Sequence, residues 1–114
     1  MRRQGIEPGR PWIRVRATEE DRLRMQRELE NGLKLVEGVV ERAKEDVTLI
    51  PYARIDERAI ASMREKLETA SYDRLREFML WLFQLATHWQ IRMRGSDRSL
   101  NKVFELKVRY AGRL

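Results

Sequence analysis

From Leu75 onward the apolar side chains Leu75, Phe78, Leu82, Leu85, Trp89 and Met93 return at intervals of three, four, three, four and four residues. Only a helix gathers such positions on one side, because a helical turn takes 3.6 residues whereas a strand alternates every two. Met79, Leu80, Trp81 and Phe83 widen the apolar arc until it runs nearly all round. A helix with no polar side has to be enclosed by others, so this segment is expected at the centre of a helical bundle.

A second stripe lies upstream. Leu29, Leu33, Val36, Val40, Ala43 and Val47 alternate steps of four and three, which predicts an amphipathic helix of roughly 25–30 residues. Thr18 stands before Glu19, Glu20 and Asp21, an N-cap followed by acids that suit the positive end of the helix dipole. Gly32 and Gly38 either weaken this helix or mark where another helix comes close. Pro51 is expected to end the element and open a loop from Leu49 to Ile55. Asp56 then caps a second helix, with Ile55 and Ile60 as a hydrophobic staple and Ile60, Met63 and Leu67 on its buried side. Ser71 caps the third. Gly95 stops it, and a fourth runs from the stretch Ser96 to Ser99 as far as Ala111, with Gly112 just beyond. No window alternates with period two between turn residues. The expected fold is all-α, a small antiparallel helical bundle of four to five helices over residues 18–114. Residues 1–17, with Gly5, Pro8, Gly9 and Pro11, read as a basic extended arm that Trp12, Ile13 and Val15 can dock.

The chain has 114 residues, enough for one domain. Its 24 Lys and Arg outnumber its 18 Asp and Glu, and the surplus is segregated. Residues 1–16 carry Arg2, Arg3, Arg10, Arg14 and Arg16 against Glu7, residues 88–114 carry seven cations against Asp97 and Glu105, and the middle is net acidic. Such placement points to a polyanion partner. Cysteine is absent, which excludes a disulfide framework and a thiolate metal site. The single histidine, His88, sits within the apolar third helix and reads as a packing residue. No phosphate-cradling glycine loop and no nucleophile elbow is present, and carboxylates such as Glu41 stand at helical spacing from a cation, here Lys44. No catalytic residue, cofactor or metal is therefore expected. The N-terminus lacks the apolar core of a signal peptide. The longest apolar run, Phe78 to Phe83, is far short of the ~20 residues that span a bilayer. A cytoplasmic protein without a membrane partner is expected.

The fourth helix carries the clearest binding signal. Arg98, Lys102, Arg109 and Arg113 fall on one stripe, interrupted by Glu105, with Leu100, Val103, Phe104 and Tyr110 opposite. Lys107 falls within the apolar side, so it has to snorkel, pair, or reach a group outside the bundle. Arg74 and Arg76 occupy the first turn of the third helix, where positive charge opposes the dipole and a bound anion would balance it. Arg92 and Arg94 stand at its other end, where cations are favoured. Tyr72, Tyr110 and Trp12 lie near basic clusters, a combination that suits either base stacking or ordinary packing.

Two segments carry a family likeness. Ser71-Tyr72-Asp73-Arg74-Leu75-Arg76-Glu77-Phe78-Met79 resembles the Ser/Thr-x-x-Gln-Leu-Arg-Lys-Phe-Tyr segment of the small subunit of Csm-type (type III) CRISPR interference complexes. The closing Leu106-Lys107-Val108-Arg109-Tyr110-Ala111-Gly112-Arg113 resembles that family's Leu-Lys-Pro-Lys-Leu-Ala-Tyr-Ala-Ala-Gly-Arg. The two occur in the family's order over the last ~45 residues. Arg74 departs from the family's Gln, and Glu77 from its Lys. The resemblance implies a non-catalytic helical subunit, stacked in several copies as a filament along guide RNA and target RNA. It would touch phosphates without reading sequence, among the other subunits of the effector complex. Leu75, Arg76, Phe78, Leu106, Lys107 and Arg109 match best. Of these, Arg76, Lys107 and Arg109 are the expected RNA contacts; together with Arg113 they would contact phosphates, with Arg92 and Arg94 extending the path. The rivals are a DNA-binding regulator, which would need a polar recognition helix, and a protein-only adaptor.

Overall fold

Thr18 starts the first helix as its chemistry dictates. The computed structural model describes residues 17–93 and 98–114, and α1 (Glu19–Ala43) opens with a capping box. The Asp21 amide donates to Thr18 Oγ1 at 3.1 Å and the Thr18 amide donates to Asp21 Oδ2 at 3.0 Å. Those bonds from Thr18 hold the Asp21 carboxyl below its ordinary value. Met25, Leu29, Leu33, Val36, Val39, Val40 and Ala43 form the fully buried stripe. The stripe does not reach Val47, which is 77% exposed. Asp46 explains the early stop. Its Oδ1 accepts from the amide and hydroxyl of Thr48 at 2.9 and 2.7 Å, a local bonding pattern that competes with helix continuation.

α2 (Ile50–Lys66) then begins one residue before Pro51, which sits in its first turn instead of delaying it. Proline is at home in a first turn, where its missing N–H has no helical partner to lose and its φ is already helical. The expected loop from Leu49 to Ile55 is thus mostly helix. Asp56 is not a cap either; it lies inside α2 and accepts the indole N–H of Trp89 at 2.7 Å. Ile55 makes no staple, being 64% exposed, whereas Ile60, Met63 and Leu67 are buried as their spacing predicts.

Ser71 caps α3 (Tyr72–Arg92), its hydroxyl accepting from the Arg74 amide at 3.2 Å. Leu75, Phe78, Leu82, Leu85 and Trp89 are buried and Met93 partly so. The apolar arc is narrower than its composition suggests, since Leu80 is 47% exposed. His88 is exposed, not packed. It stands ~100° round the helix from the enclosed Trp89, on the outward side. α4 (Arg98–Arg109) follows, and Gly112 beyond it has φ +82, the left-handed conformation that closes a helix without a β-carbon clash.

Side-chain bridges fix the directions. Lys44 bonds Glu57 at 2.6 Å and Arg64 bonds Glu37 at 3.2 Å, so α2 runs antiparallel to α1. Leu82 and Leu106 both face Gly32, and the C-terminal ends of α1 and α3 share a cleft. α3 therefore runs beside α1 in the same direction, and α4 returns. α1, rather than α3, is the central helix, because it packs extensively against all three others, whereas α3 meets α2 at its C-terminal end through Trp89 and Arg92. Gly32 makes this possible: a β-carbon there would lie 2.6 Å from Leu82 Cδ2 and 3.5 Å from Leu106 Cδ1. Gly38 has no such role, its nearest neighbour being Arg42 Nη1 at 3.8 Å. All regular structure among the described residues is helical, and none of these helices is long and apolar enough to cross a membrane. The expected arm lies almost entirely outside the described residues, as do Arg94 and Gly95.

Candidate nucleic-acid interface

Leu100, Val103, Leu106 and Tyr110 commit one side of α4 and its closing turn to the core. Everything charged on this segment is left outside: Arg98, Lys102, Glu105, Lys107, Arg109 and Arg113 are all exposed. Residues 98–114 thus hold five cations against one acid, while residues 17–93 hold thirteen against fifteen. The positive surplus of the described chain is concentrated on this one flank. At 1.5 Å per residue the line from Arg98 to Arg109 is about 16 Å long. Lys107 resolves its awkward position by standing in solvent, paired with no described residue.

Glu28 of α1 organises the C-terminal end of the flank. One of its oxygens accepts from Arg109 Nη1 and the other from the Tyr110 hydroxyl, while its side chain is only 19% exposed. Burial, then the neighbouring Glu28 carboxylate, pushes the Tyr110 phenol well above its ordinary value. The Arg113 guanidinium lies 5.9 Å from the Tyr110 ring centre. Tyr110 is thereby committed to packing and not available for base stacking. Tyr72 is half-buried against the core, and Trp12 lies outside the described residues.

At the start of α3 the two arginines that oppose the dipole find partners on their own helix. Arg74 bonds Glu77 at 3.0 Å and lies over the Phe78 ring at 5.3 Å. Arg76 bonds Asp73 at 3.3 Å, and its Nε is buried without a hydrogen-bond partner. These pairs balance the charge that a bound anion was expected to balance. α4 packs against α3 and runs back along it, which sets this end of α3 beside the end of α4. Arg76, Lys107, Arg109 and Arg113 therefore gather at one end of the bundle. Arg92 does not join them. It lies sixteen residues further along α3, about 24 Å away, with its guanidinium 4.4 Å from the Tyr52 ring centre and 5.4 Å from that of Trp89. Arg94 is outside the described residues.

Two cations passed over in the sequence, Arg54 and Arg58, are exposed and have no carboxylate partner among the described residues. Their i, i+4 spacing was the available signal, masked by Glu57 at i+3 from Arg54, an acid that Lys44 claims instead. The cleft of about 630 Å³ between the ends of α1 and α3 balances Arg42 and Arg92 against Glu45 and Asp46. Among the described residues no three His, Cys, Asp or Glu are grouped to hold a metal. No family model, no curated protein and no solved structure matches the chain.

Proposed function

We propose that the chain is a non-catalytic RNA-binding small subunit of a type III CRISPR effector complex, with the outer flank of α4 laid along the backbone of guide and target RNA. The observation that supports it is the segregation of charge onto α4, where Arg98, Lys102, Arg109 and Arg113 follow one line interrupted by Glu105 and Lys107 is exposed off that line. Such a surface holds phosphates by charge and exposes no aromatic ring on which a base could stack. Arg98, Lys102, Lys107 and Arg113 reach a phosphate without giving up an ion pair to a described residue, whereas Arg109 has to exchange Glu28 for it. Arg76 contributes from the edge, already half-neutralised by Asp73. The assignment to a CRISPR complex rests on residues 71–79 and 106–113. With it come the partners: guide RNA, target RNA, the other effector subunits and further copies of the chain in a filament, in the cytoplasm.

The test is fluorescence anisotropy with a labelled RNA duplex over a range of salt. Reversing Arg98 and Lys102 to Glu is expected to weaken binding and lower the slope of log K against log salt by about 1.8, roughly 0.9 per lost phosphate contact. An unchanged slope in a folded variant removes α4 from the interface. Pull-down from the native host addresses the assembly: short RNAs sharing a constant 5′ segment are expected, and a single protein partner without RNA would instead support the adaptor.

A further inference from the structure

We infer that the outer face of α2 is a second nucleic-acid site, one that takes single-stranded RNA by a base as well as by phosphates. The case begins with the acids of α2. Asp56 turns inward to the Trp89 indole, and Glu57 turns to Lys44. The first turn holds no acid at all. Arg54 and Arg58 are left exposed without a carboxylate among the described residues, in contrast to Arg22, Arg24, Arg74 and Arg76, each of which has one within 3.5 Å.

Apolar groups are exposed on the same face. Tyr52 is 47% exposed and Ile55 is 64% exposed. Tyr52, Ile55 and Arg58 follow one another at i, i+3 and i+6, and Arg54 sits one turn from Arg58 on its far side, so the four run as a band round the outer side of α2 with Tyr52 at one edge and Arg54 at the other. Arg92 extends it from α3, held over Tyr52 with no ion pair to a described residue. Arg92 and Arg58, neither with a carboxylate partner among the described residues, thus flank an exposed ring and an aliphatic side chain, with Arg54 beyond Arg58. Single strands are bound by this combination, since cations follow the backbone while a ring accepts a base face that a duplex keeps stacked inside. Glu65, two turns beyond Arg58, bounds the patch.

The α4 flank differs in kind. Its aromatics Phe104 and Tyr110 are half-buried and buried, leaving charge and Val108 outside. The two surfaces also face apart. α2 is held on the side of α1 that carries Glu37, and α4 on the side that carries Glu28; nine residues of helix turn through about 900°, which places these on opposite sides. One bundle therefore offers a backbone-only surface and, across its width, a surface for unpaired bases. The inference rests on the nucleic-acid reading proposed above.

The experiment compares anisotropy titrations of a labelled oligo(U) and a labelled RNA duplex against five proteins: wild type, Tyr52→Ala, Tyr52→Phe, Arg58→Glu, and the Arg98→Glu/Lys102→Glu double variant. Tyr52→Ala is expected to weaken oligo(U) binding about tenfold and to leave duplex binding unchanged, with Tyr52→Phe retaining wild-type affinity. Arg58→Glu, at a position with no contact to lose, should lower the oligo(U) salt slope by about 0.7. The α4 double variant should lose duplex binding selectively. Oligo(U) affinity unchanged by both Tyr52→Ala and Arg58→Glu overturns the second site. Wild type binding the duplex but not oligo(U) also overturns it, while the RNA reading stands. Binding to neither probe overturns both.

Discussion

Gly32→Ala tests the close approach at the centre of the bundle. The new β-carbon would stand 2.6 Å from Leu82 Cδ2, against about 3.5–4.0 Å for an ordinary carbon contact. Leu82 therefore has to retreat by about 1 Å. It is fully buried and cannot swing into solvent, so the displacement passes into the core. Overpacking of this kind costs about 1–3 kcal/mol, whereas replacing a mid-helix glycine by alanine gains about 1 kcal/mol. The difference is a net destabilisation of about 1 kcal/mol, or a fall in Tm of about 5 °C for a domain of this size. Gly38→Ala is the matched control. It gains the same propensity and meets only the far end of Arg42 at 3.8 Å, so Tm should rise by a few degrees. The assay is thermal unfolding of the two variants side by side by circular dichroism. Gly32→Ala raising Tm as much as Gly38→Ala would refute the argument that the missing side chain sets the spacing of α1 and α3. A Leu82→Ala background sharpens it: there Gly32→Ala should become favourable, with a coupling of about 1 kcal/mol or more.

Trp89→Phe should destabilise by about 2–4 kcal/mol, measured by urea unfolding, because a buried ring shrinks and Asp56 loses its indole donor. Tyr110→Phe removes the hydroxyl that donates to Glu28 and should cost about 1–2 kcal/mol. The raised phenol gives that bond a pH signature. Its stabilisation is complete below the unfolded tyrosine value near 10 and is lost as pH rises toward the higher folded value. Urea midpoints between about pH 9 and 11 should fall for wild type by more than for Tyr110→Phe; parallel falls would remove Tyr110 as the cause. Thr18→Ala should cost about 1 kcal/mol through loss of the cap. The depressed Asp21 carboxyl implies stability that is present above the ordinary aspartate range and lost as pH falls through its folded value, an acid loss that Thr18→Ala should diminish.

The features legible in the sequence were those decided within a turn or two of chain. Thr18 and Ser71 cap helices because their hydroxyls meet amides three residues on. The stripes of α1 and α3 are helical because their spacing permits nothing else. Misreadings came where a distant group intervened. Asp56 looks like a cap until Trp89, 33 residues away, claims it. Pro51 looks like a stop because the real stop, Asp46 folding back on Thr48, lies in a polar stretch without glycine or proline. The centre of the bundle was misassigned because greasiness measures how much a helix can bury, while centrality depends on which helix lets its neighbours near; Gly32 supplies that for α1. The cations of α4 were visible as a stripe, but the neutralisation of Arg109 by Glu28, 81 positions earlier, was not. Arg54 and Arg58 were hidden by the same cause in reverse, since their local acids are drawn elsewhere.

The partnership of α1 with α3, across an intervening helix, has a consequence for biosynthesis. α1 leaves the ribosome with Leu29, Leu33, Val36 and Val40 along one side, yet the side chain that closes on Gly32 is Leu82. Roughly forty more residues have to be translated after Ala43 before it emerges, which takes about 2–8 s at ordinary elongation rates of about 5–20 residues per second. For that interval the first helix presents a greasy stripe with α2 as the only other described helix to cover it. Nascent chains stalled before residue 82 should therefore recruit chaperones that hold exposed apolar helices, and chains stalled late enough for α3 to clear the exit tunnel should release them.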